Sequence, residues 1–188
     1  MRPLGVLGGT FDPVHNAHLA LAHTALAALD LERVLWIPTG APPYRNPPVA
    51  AAPHRVAMLE LAIAGEPRYA IDARELAPEA SGYSFDTLVS LRAELQGTPL
   101  VLLMGADQFS KIETWHRWRE LPRICRIAVF ARPGWPEPPA GVTRVPMPPL
   151  AVSATELRAR IARGEDVSAM LPTAVLDYIQ THHLYGHP

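Results

Sequence analysis

The sequence predicts an α/β fold: a doubly wound, mostly parallel, Rossmann-like sheet with helices on both faces. Three observations favour it. Short apolar runs alternate with longer helix-forming stretches. The run 100–104 is apolar throughout, which is typical of a strand buried on both faces. This run and the first one end at glycines, Gly105 and Gly8, and ligand sites in such sheets lie at the carboxyl ends of strands.

The first half of the chain alternates strands with helices. Its predicted elements are a strand at 4–7, a helix at 17–29, a strand at 34–37, a helix at 53–64 and a short strand at 69–72. Gly8-Gly9 ends the first strand, and leucines and alanines favour the helix after it. Pro53 near the start of the second helix and Gly65 just past its end mark its limits.

The second half continues the alternation. Its predicted elements are a helix at 84–95, strands at 100–104 and 127–130, an edge strand at 142–145, and helices at 153–163 and 173–181. Ser84 is predicted to cap its helix and Gly97 to terminate it. Two proline-rich segments join elements: 38–53 is interpreted as an ordered loop near the site, and 133–149 as a surface excursion.

Length and charge limit the kinds of function. The 188 residues predict a single domain, 1–188, and a net charge of -1 leaves no general positive field for nucleic acid or an anionic membrane. An anionic ligand therefore needs a local site. Cys125 is the single cysteine, which excludes an intramolecular disulfide and favours a reducing compartment. The first apolar run breaks at Gly8-Gly9 and no run reaches about 18 residues, so we expect a cytoplasmic protein.

The segment after the first strand has the chemistry of an anion site. It reads Gly8-Gly9-Thr10-Phe11-Asp12-Pro13-Val14-His15-Asn16-Ala17-His18. Glycines let the backbone approach a phosphate, a helix N-terminus offers N–H groups, and His15 and His18 lie on one helix face. The alternative is a tight turn with two surface histidines. The segment is neither a Walker loop nor a dinucleotide fingerprint.

This segment resembles the G-G-T-F-D-P-[IV]-H-x-G-H signature of the nucleotidylyltransferases with a T/H-x-G-H motif. A second segment, Val152-Ser153-Ala154-Thr155-Glu156-Leu157-Arg158, is similar to the I-S-S/A-T-x-I-R signature of the same superfamily. The resemblance implies that a helix N-terminus there binds the β- and γ-phosphates of ATP. Ser153 and Thr155 carry hydroxyls suited to phosphate, and Arg158 carries a planar fork of donors, although the segment is also a good helix cap.

Four further segments resemble bacterial nicotinate mononucleotide adenylyltransferases. They are residues 38–45, residues 82–88, the pair of segments 105–107 and 114–116, and residues 132–134. The chain departs from the family pattern at Ala17, at Tyr44 and at Thr39-Gly40.

The resemblance implies roles for individual residues. The implied catalytic residues are His15, His18 and Arg158. The implied ATP-binding residues are Gly8, Gly9, Thr10, Phe11, Gly105, Asp107, Arg132, Ser153 and Thr155. The resemblance implies that Gly105 and Asp107 hold the ATP ribose, that Arg132 lies by the adenine and that Arg45 binds a phosphate. The implied mononucleotide-binding residues are Thr39, Arg45, Ser84, Trp115 and His116, of which Trp115 is either a stacking face for the pyridine ring or simple packing.

The implied reaction joins ATP and nicotinate mononucleotide into nicotinate adenine dinucleotide and pyrophosphate. A phosphate oxygen attacks the α-phosphorus directly, so no nucleophilic side chain is needed. Mg²⁺ is expected to bind through the ATP phosphates, because no carboxylate cluster suggests a protein site. The alternatives are a nicotinamide mononucleotide or dual-specificity enzyme, a phosphopantetheine adenylyltransferase, and a nucleotide-binding regulatory module without turnover. A class I tRNA synthetase fragment would need a lysine-rich motif, and Lys111 is the only lysine.

Overall fold

The computed structural model describes residues 1–40, 46–131, 135–148 and 152–186. Arg45, Arg132 and Tyr44 therefore lie outside the described residues. In the described part, six strands form one sheet. They are β1 (Leu4–Gly9), β2 (Arg33–Pro38), β3 (Tyr69–Ile71), β4 (Leu100–Gly105), β5 (Arg126–Ala131) and β6 (Val142–Pro146).

The strand order explains where a ligand site belongs. The order is β3-β2-β1-β4-β5-β6, and every neighbouring pair is parallel. The chain therefore winds outward from β1 in one direction and from β4 in the other. The crevice between β1 and β4, at the carboxyl ends of the strands, is the topological switch point at which such sheets bind ligands.

Both faces of the sheet are buried, as the apolar run of β4 predicts. Val101 and Leu103 belong to the core on one face, whereas Leu102 and Met104 belong to the core on the other. This alternation follows from the two-residue period of a strand. The prediction of a doubly wound parallel sheet is confirmed.

Seven α-helices cover the two faces in the described ranges. They are α1 (Asn16–Ala28), α2 (Ala52–Ile63), α3 (Ser84–Glu94), α4 (Ala106–Phe109), α5 (Leu121–Ile124), α6 (Ala154–Ala162) and α7 (Thr173–Thr181). Buried residues of α1, α2, α6 and α7 join the first core, and those of α3 and α5 join the second. No helix in the described ranges is long and apolar enough to cross a bilayer.

The structure differs from the sequence prediction at three places. Tyr83, rather than Ser84, precedes the first residue of α3, so the predicted cap is wrong by one position. Gly8 and Gly9 continue β1, because the neighbouring strand β2 pairs with them. The short helices α4 and α5 were not predicted, because four residues are too few to establish a helical period.

Candidate active site

The loop after β1 lies at the switch point and is held by close packing. A Cβ atom on Gly9 would lie 2.9 Å from the Phe11 ring, so glycine is needed there, whereas the corresponding space at Gly8 is open. Phe11 is only 1% exposed, and its ring packs against the rings of Trp36 and His18. The buried ring therefore holds the loop in place.

The two predicted histidines form one unit at the start of α1. Their rings stack with centroids 3.8 Å apart. The backbone N–H of His15 donates to Nδ1 of His18 at 3.3 Å. Because Nδ1 accepts, the proton of the neutral His18 ring belongs on Nε2. His18 therefore has an N–H donor left for a ligand.

Burial keeps both histidines uncharged at neutral pH. It lowers the pKa of His15 from 6.5 to about 4. It also lowers the pKa of His18 well below 6.5, and the nearby His15 ring adds to this effect. At neutral pH the two rings are therefore neutral hydrogen-bonding groups, and positive charge near them has to come from other residues.

The lowered pKa of His15 predicts that the protein is less stable in weak acid. The unfolded chain binds a proton near pH 6.5 and the folded protein only near about 4, so unfolding becomes easier as pH falls between these values. As pH falls through this window, the free energy of unfolding of His15→Asn should decrease by roughly 1 to 3 kcal/mol less than that of the wild-type protein. Urea unfolding at pH 7 and pH 4.5 measures it. His23 is exposed on the same helix, so His23→Asn should keep the wild-type pH dependence, and equal pH dependence of His15→Asn and wild type would contradict the assignment.

Backbone amides at the N-terminus of α1 already have carbonyl acceptors, which the sequence does not predict. The amide of Asn16 donates to the carbonyl of Met170, and the amide of His18 donates to the carbonyl of His15. The Asn16 side chain also donates to the carbonyl of Ala169 at 3.0 Å. The segment before α7 thus satisfies one α1 amide, that of Asn16, which the sequence left for a phosphate.

The N-terminus of α6 keeps its amides available. Ser153 precedes α6, and its hydroxyl accepts from the amide of Glu156 at 3.2 Å. The first two amides of α6, those of Ala154 and Thr155, have no acceptor among the residues that the structure describes. Two open amides and the helix dipole suit an anion, as the second motif implies.

Asp12 joins these two parts of the site. Arg158 of α6 donates from Nη1 to the backbone carbonyl of Asp12 at 2.7 Å. The Asp12 carboxylate is 3% exposed and accepts from the amides of Val49 and Ala50 at 2.6 and 3.1 Å. The Tyr185 hydroxyl donates to the same carboxylate at 2.7 Å. Residues from four parts of the chain therefore meet at Asp12.

A buried arginine also stabilises the loop after β1. Arg55 of α2 is 2% exposed and donates to the carbonyls of Thr10 and Ala50, at 2.6 and 3.2 Å. Burial lowers the pKa of this guanidinium, and the Asp12 carboxylate raises it again. Because Arg55 is buried, it stabilises the loop and is not accessible to a ligand.

The predicted ribose-binding residues follow β4. Gly105 ends the strand and Asp107 is exposed in the first turn of α4. A Cβ on Gly105 would lie 2.6 Å from Oδ1 of Asp107, so glycine lets this carboxylate fold back over the strand end. β4 is the neighbour of β1 in the sheet. This places Asp107 across the crevice from residues 10–18, which we call the histidine loop.

The predicted mononucleotide-binding residues gather around α3. His116 stacks on Tyr83 with centroids 4.4 Å apart, and Trp115 is partly buried against the second core. Ser84 begins α3 and is half-buried. Trp115 is thus held by packing, while the exposed His116 ring and Tyr83 offer the aromatic surface.

Thr39 is tied to this group through a buried carboxyl. The Thr87 hydroxyl donates to Glu75 at 2.6 Å, and Thr39 is a second hydrogen-bonding partner of Glu75. Burial raises the pKa of Glu75. A Cβ on Gly40 would lie 2.5 Å from the Glu75 carbonyl oxygen, so the glycine that departs from the family pattern is required by a close backbone approach.

Sequence reasoning missed Asp12, Arg55 and Tyr185 as parts of this site. Asp12 stood within the quoted motif but had no obvious partner nearby. Arg55 and Tyr185 are 45 and 173 residues from their partners in the loop, and no local pattern signals such contacts. In the described part of the chain, no three His, Cys, Asp or Glu side chains are grouped to hold a metal ion.

The fold and the site together define a Rossmann-like nucleotidyltransferase class, with two histidines after the first strand and open amides at the start of α6. The chain belongs to the cytidylyltransferase-like family, whose sequence model matches residues 6–160. This match confirms the superfamily that the two motifs resemble.

Similar proteins indicate a narrower class within this family. A "probable nicotinate-nucleotide adenylyltransferase" from Dechloromonas aromatica is 41% identical, with 98% of each chain covered. One of the same name from Pseudomonas paraeruginosa is 40% identical, over 100% of this chain and 99% of the relative. The solved structure of Plasmodium falciparum nicotinic acid mononucleotide adenylyltransferase complexed with NaAD aligns with a TM-score of 0.82 at 16% identity, covering 100% of this chain and 99% of that one. The structural match shows the fold, and the relatives confirm the narrower resemblance.

Proposed function

We propose that the protein transfers the adenylyl group of ATP to nicotinate mononucleotide, giving nicotinate adenine dinucleotide and pyrophosphate. The observation that carries the proposal is the junction at Asp12, where the His15–His18 loop and Arg158 of α6 meet. Donors for a polyphosphate thus converge from two ends of the chain. The names of the relatives, at about 40% identity over nearly the whole chain, support this substrate pair.

The residues divide the work of an in-line displacement. The attacking mononucleotide phosphate is ionised at neutral pH, so the protein has to align two anions rather than remove a proton. His18 donates from Nε2 to an oxygen of the reacting phosphates. Arg158, the amides of Ala154 and Thr155, and the Ser153 and Thr155 hydroxyls bind the leaving pyrophosphate. Gly105 and Asp107 bind the ribose, and Arg132 and Arg45, outside the described residues, stay assigned to adenine and phosphate.

Mg²⁺ is proposed to bind through the ATP phosphates. The Asp12 carboxylate, the acid in the histidine loop, is committed to three hydrogen bonds and is not offered as a ligand. Oxygens of ATP and water would therefore supply the octahedral shell that Mg²⁺ prefers. The ion, when bound, neutralises charge on the polyphosphate. We further propose a single cytoplasmic domain without nucleic-acid or membrane partners.

The acid mononucleotide should be preferred at least about 10-fold over the amide in kcat/KM. The amides of Ser84 and Phe85 begin α3 and have no acceptor among the described residues, whereas those of Asp86 and Thr87 bond to the Tyr83 carbonyl. The two remaining amides at this helix end suit a carboxylate. A carboxamide would turn an NH₂ group toward one of them and leave donors facing donors.

Pyrophosphate release tests both the function and this preference. The assay compares nicotinate mononucleotide, nicotinamide mononucleotide and phosphopantetheine at equal ATP and Mg²⁺ concentrations. Equal kcat/KM for the two pyridine mononucleotides would indicate a dual-specificity enzyme. Absence of release with all three, while ATP still binds, would indicate a regulatory nucleotide-binding module.

A further inference from the structure

The end of the chain folds back onto the histidine loop. After α7, the backbone turns at His183 and Tyr185, which both have positive φ, 48° and 59°. This turn brings the Tyr185 hydroxyl to 2.7 Å from Oδ1 of Asp12. Positive φ is costly for residues with a Cβ, so contacts have to hold the turn in place.

The hydroxyl is one of three donors to a buried carboxylate. Oδ1 of Asp12 accepts from the Tyr185 hydroxyl and from the amide of Ala50, and Oδ2 accepts from the amide of Val49. Burial and the Asp12 charge raise the pKa of Tyr185 above its usual value, so the phenol stays protonated and remains a donor. Both acceptor sites of Oδ1 are thus occupied and the carboxylate is fixed in orientation, while Oδ2 keeps one acceptor site.

Arg158 is the cation that would otherwise compete for this carboxylate. Its Nη1 lies 4.0 Å from Oδ2 of Asp12, beyond hydrogen-bonding distance, and donates instead to the Asp12 carbonyl. Its other N–H groups have no acceptor in the described parts of the chain, and a quarter of the side chain is exposed. The guanidinium is thus anchored at one nitrogen and open toward solvent at the others.

We propose that Tyr185 is a positioning residue for ATP. Its hydroxyl occupies Oδ1 and fixes the orientation of the Asp12 carboxylate, which holds Oδ2 at 4.0 Å from Arg158 and keeps the guanidinium directed to the phosphates of ATP. The inference rests on the proposed function for the identity of the ligand. It assigns the last turn of the described chain a part in substrate binding rather than in folding alone.

The test compares Tyr185→Phe with Tyr178→Phe. Tyr178 lies on α7, and its hydroxyl bonds to His54 at 3.0 Å, so the control removes one phenol hydroxyl from the same terminal region. Binding of α,β-methylene-ATP is measured by calorimetry, and KM and kcat by pyrophosphate release. For Tyr185→Phe we expect roughly five- to tenfold weaker ATP binding, a matching rise in the KM for ATP, and little change in the KM for the mononucleotide. Tyr178→Phe should bind ATP as wild type does.

A double variant tests whether the effect passes through Arg158. In an Arg158→Ala background, Tyr185→Phe should weaken ATP binding no further, since the side chain that it positions is gone. Unchanged binding by Tyr185→Phe, an equal loss in Tyr178→Phe, or an undiminished effect in the Arg158→Ala background would overturn the inference. If wild type binds the analogue but transfers nothing to nicotinate mononucleotide, the proposed function fails and the role of Tyr185 stands. If wild type does not bind the analogue, both fail.

Discussion

Replacing His18 by alanine is expected to lower kcat on the order of 100-fold or more, measured at saturating ATP and nicotinate mononucleotide. The His18 ring is fixed before any ligand arrives, because Nδ1 accepts the His15 amide and the ring stacks on His15 and packs against Phe11. Its Nε2–H is therefore a preorganised donor. Such donors stabilise the charge that develops on the phosphates during transfer, and alanine removes the donor completely.

His23→Ala is the matched control for this prediction. His23 lies on α1 as well, but it is exposed and lies more than one turn further along the helix. It should keep wild-type turnover. Thermal unfolding of both variants separates loss of the fold from loss of catalysis, and a His18→Ala protein with normal kcat would remove His18 from the chemistry.

Arg158→Lys is expected to lower kcat/KM for ATP roughly 10- to 100-fold although the charge is kept. The guanidinium has two roles, because one nitrogen donates to the Asp12 carbonyl and the others are available for phosphate oxygens. An ammonium group is a single point of charge on a flexible stem. It cannot bond to the carbonyl and present a planar pair of N–H groups at the same time.

Arg160→Lys controls for the substitution itself. Arg160 lies on the same helix and pairs with Glu156 at 2.9 Å, on an exposed face. This pair should contribute little, so its kinetics with ATP should match wild type. If Arg158→Lys also shows an unchanged KM and kcat when ATP is varied, Arg158 does not bind the nucleotide.

The sequence by itself determined the sheet and where the candidate site would lie. The apolar runs of β1 and β4 specify buried strands, because each residue of such a strand meets one core or the other. Gly8-Gly9 and Gly105 then mark the carboxyl ends at which ligands bind. Local composition is sufficient here because strand burial and helix length are properties of neighbouring residues. The two motifs indicated the family for the same reason, since each is one short segment.

Only the tertiary structure decided which groups of the site are available and in which protonation state. The amide of Asn16 is taken by the distant carbonyl of Met170, whereas the first amides of α6 have no acceptor among the described residues. Burial makes the histidines neutral, a property of everything packed around them rather than of their own segment. Tyr185 reaches Asp12 across 173 residues. Hydrogen-bond satisfaction and desolvation depend on the three-dimensional neighbours of a group, and these are set by the fold rather than by residues adjacent in the chain.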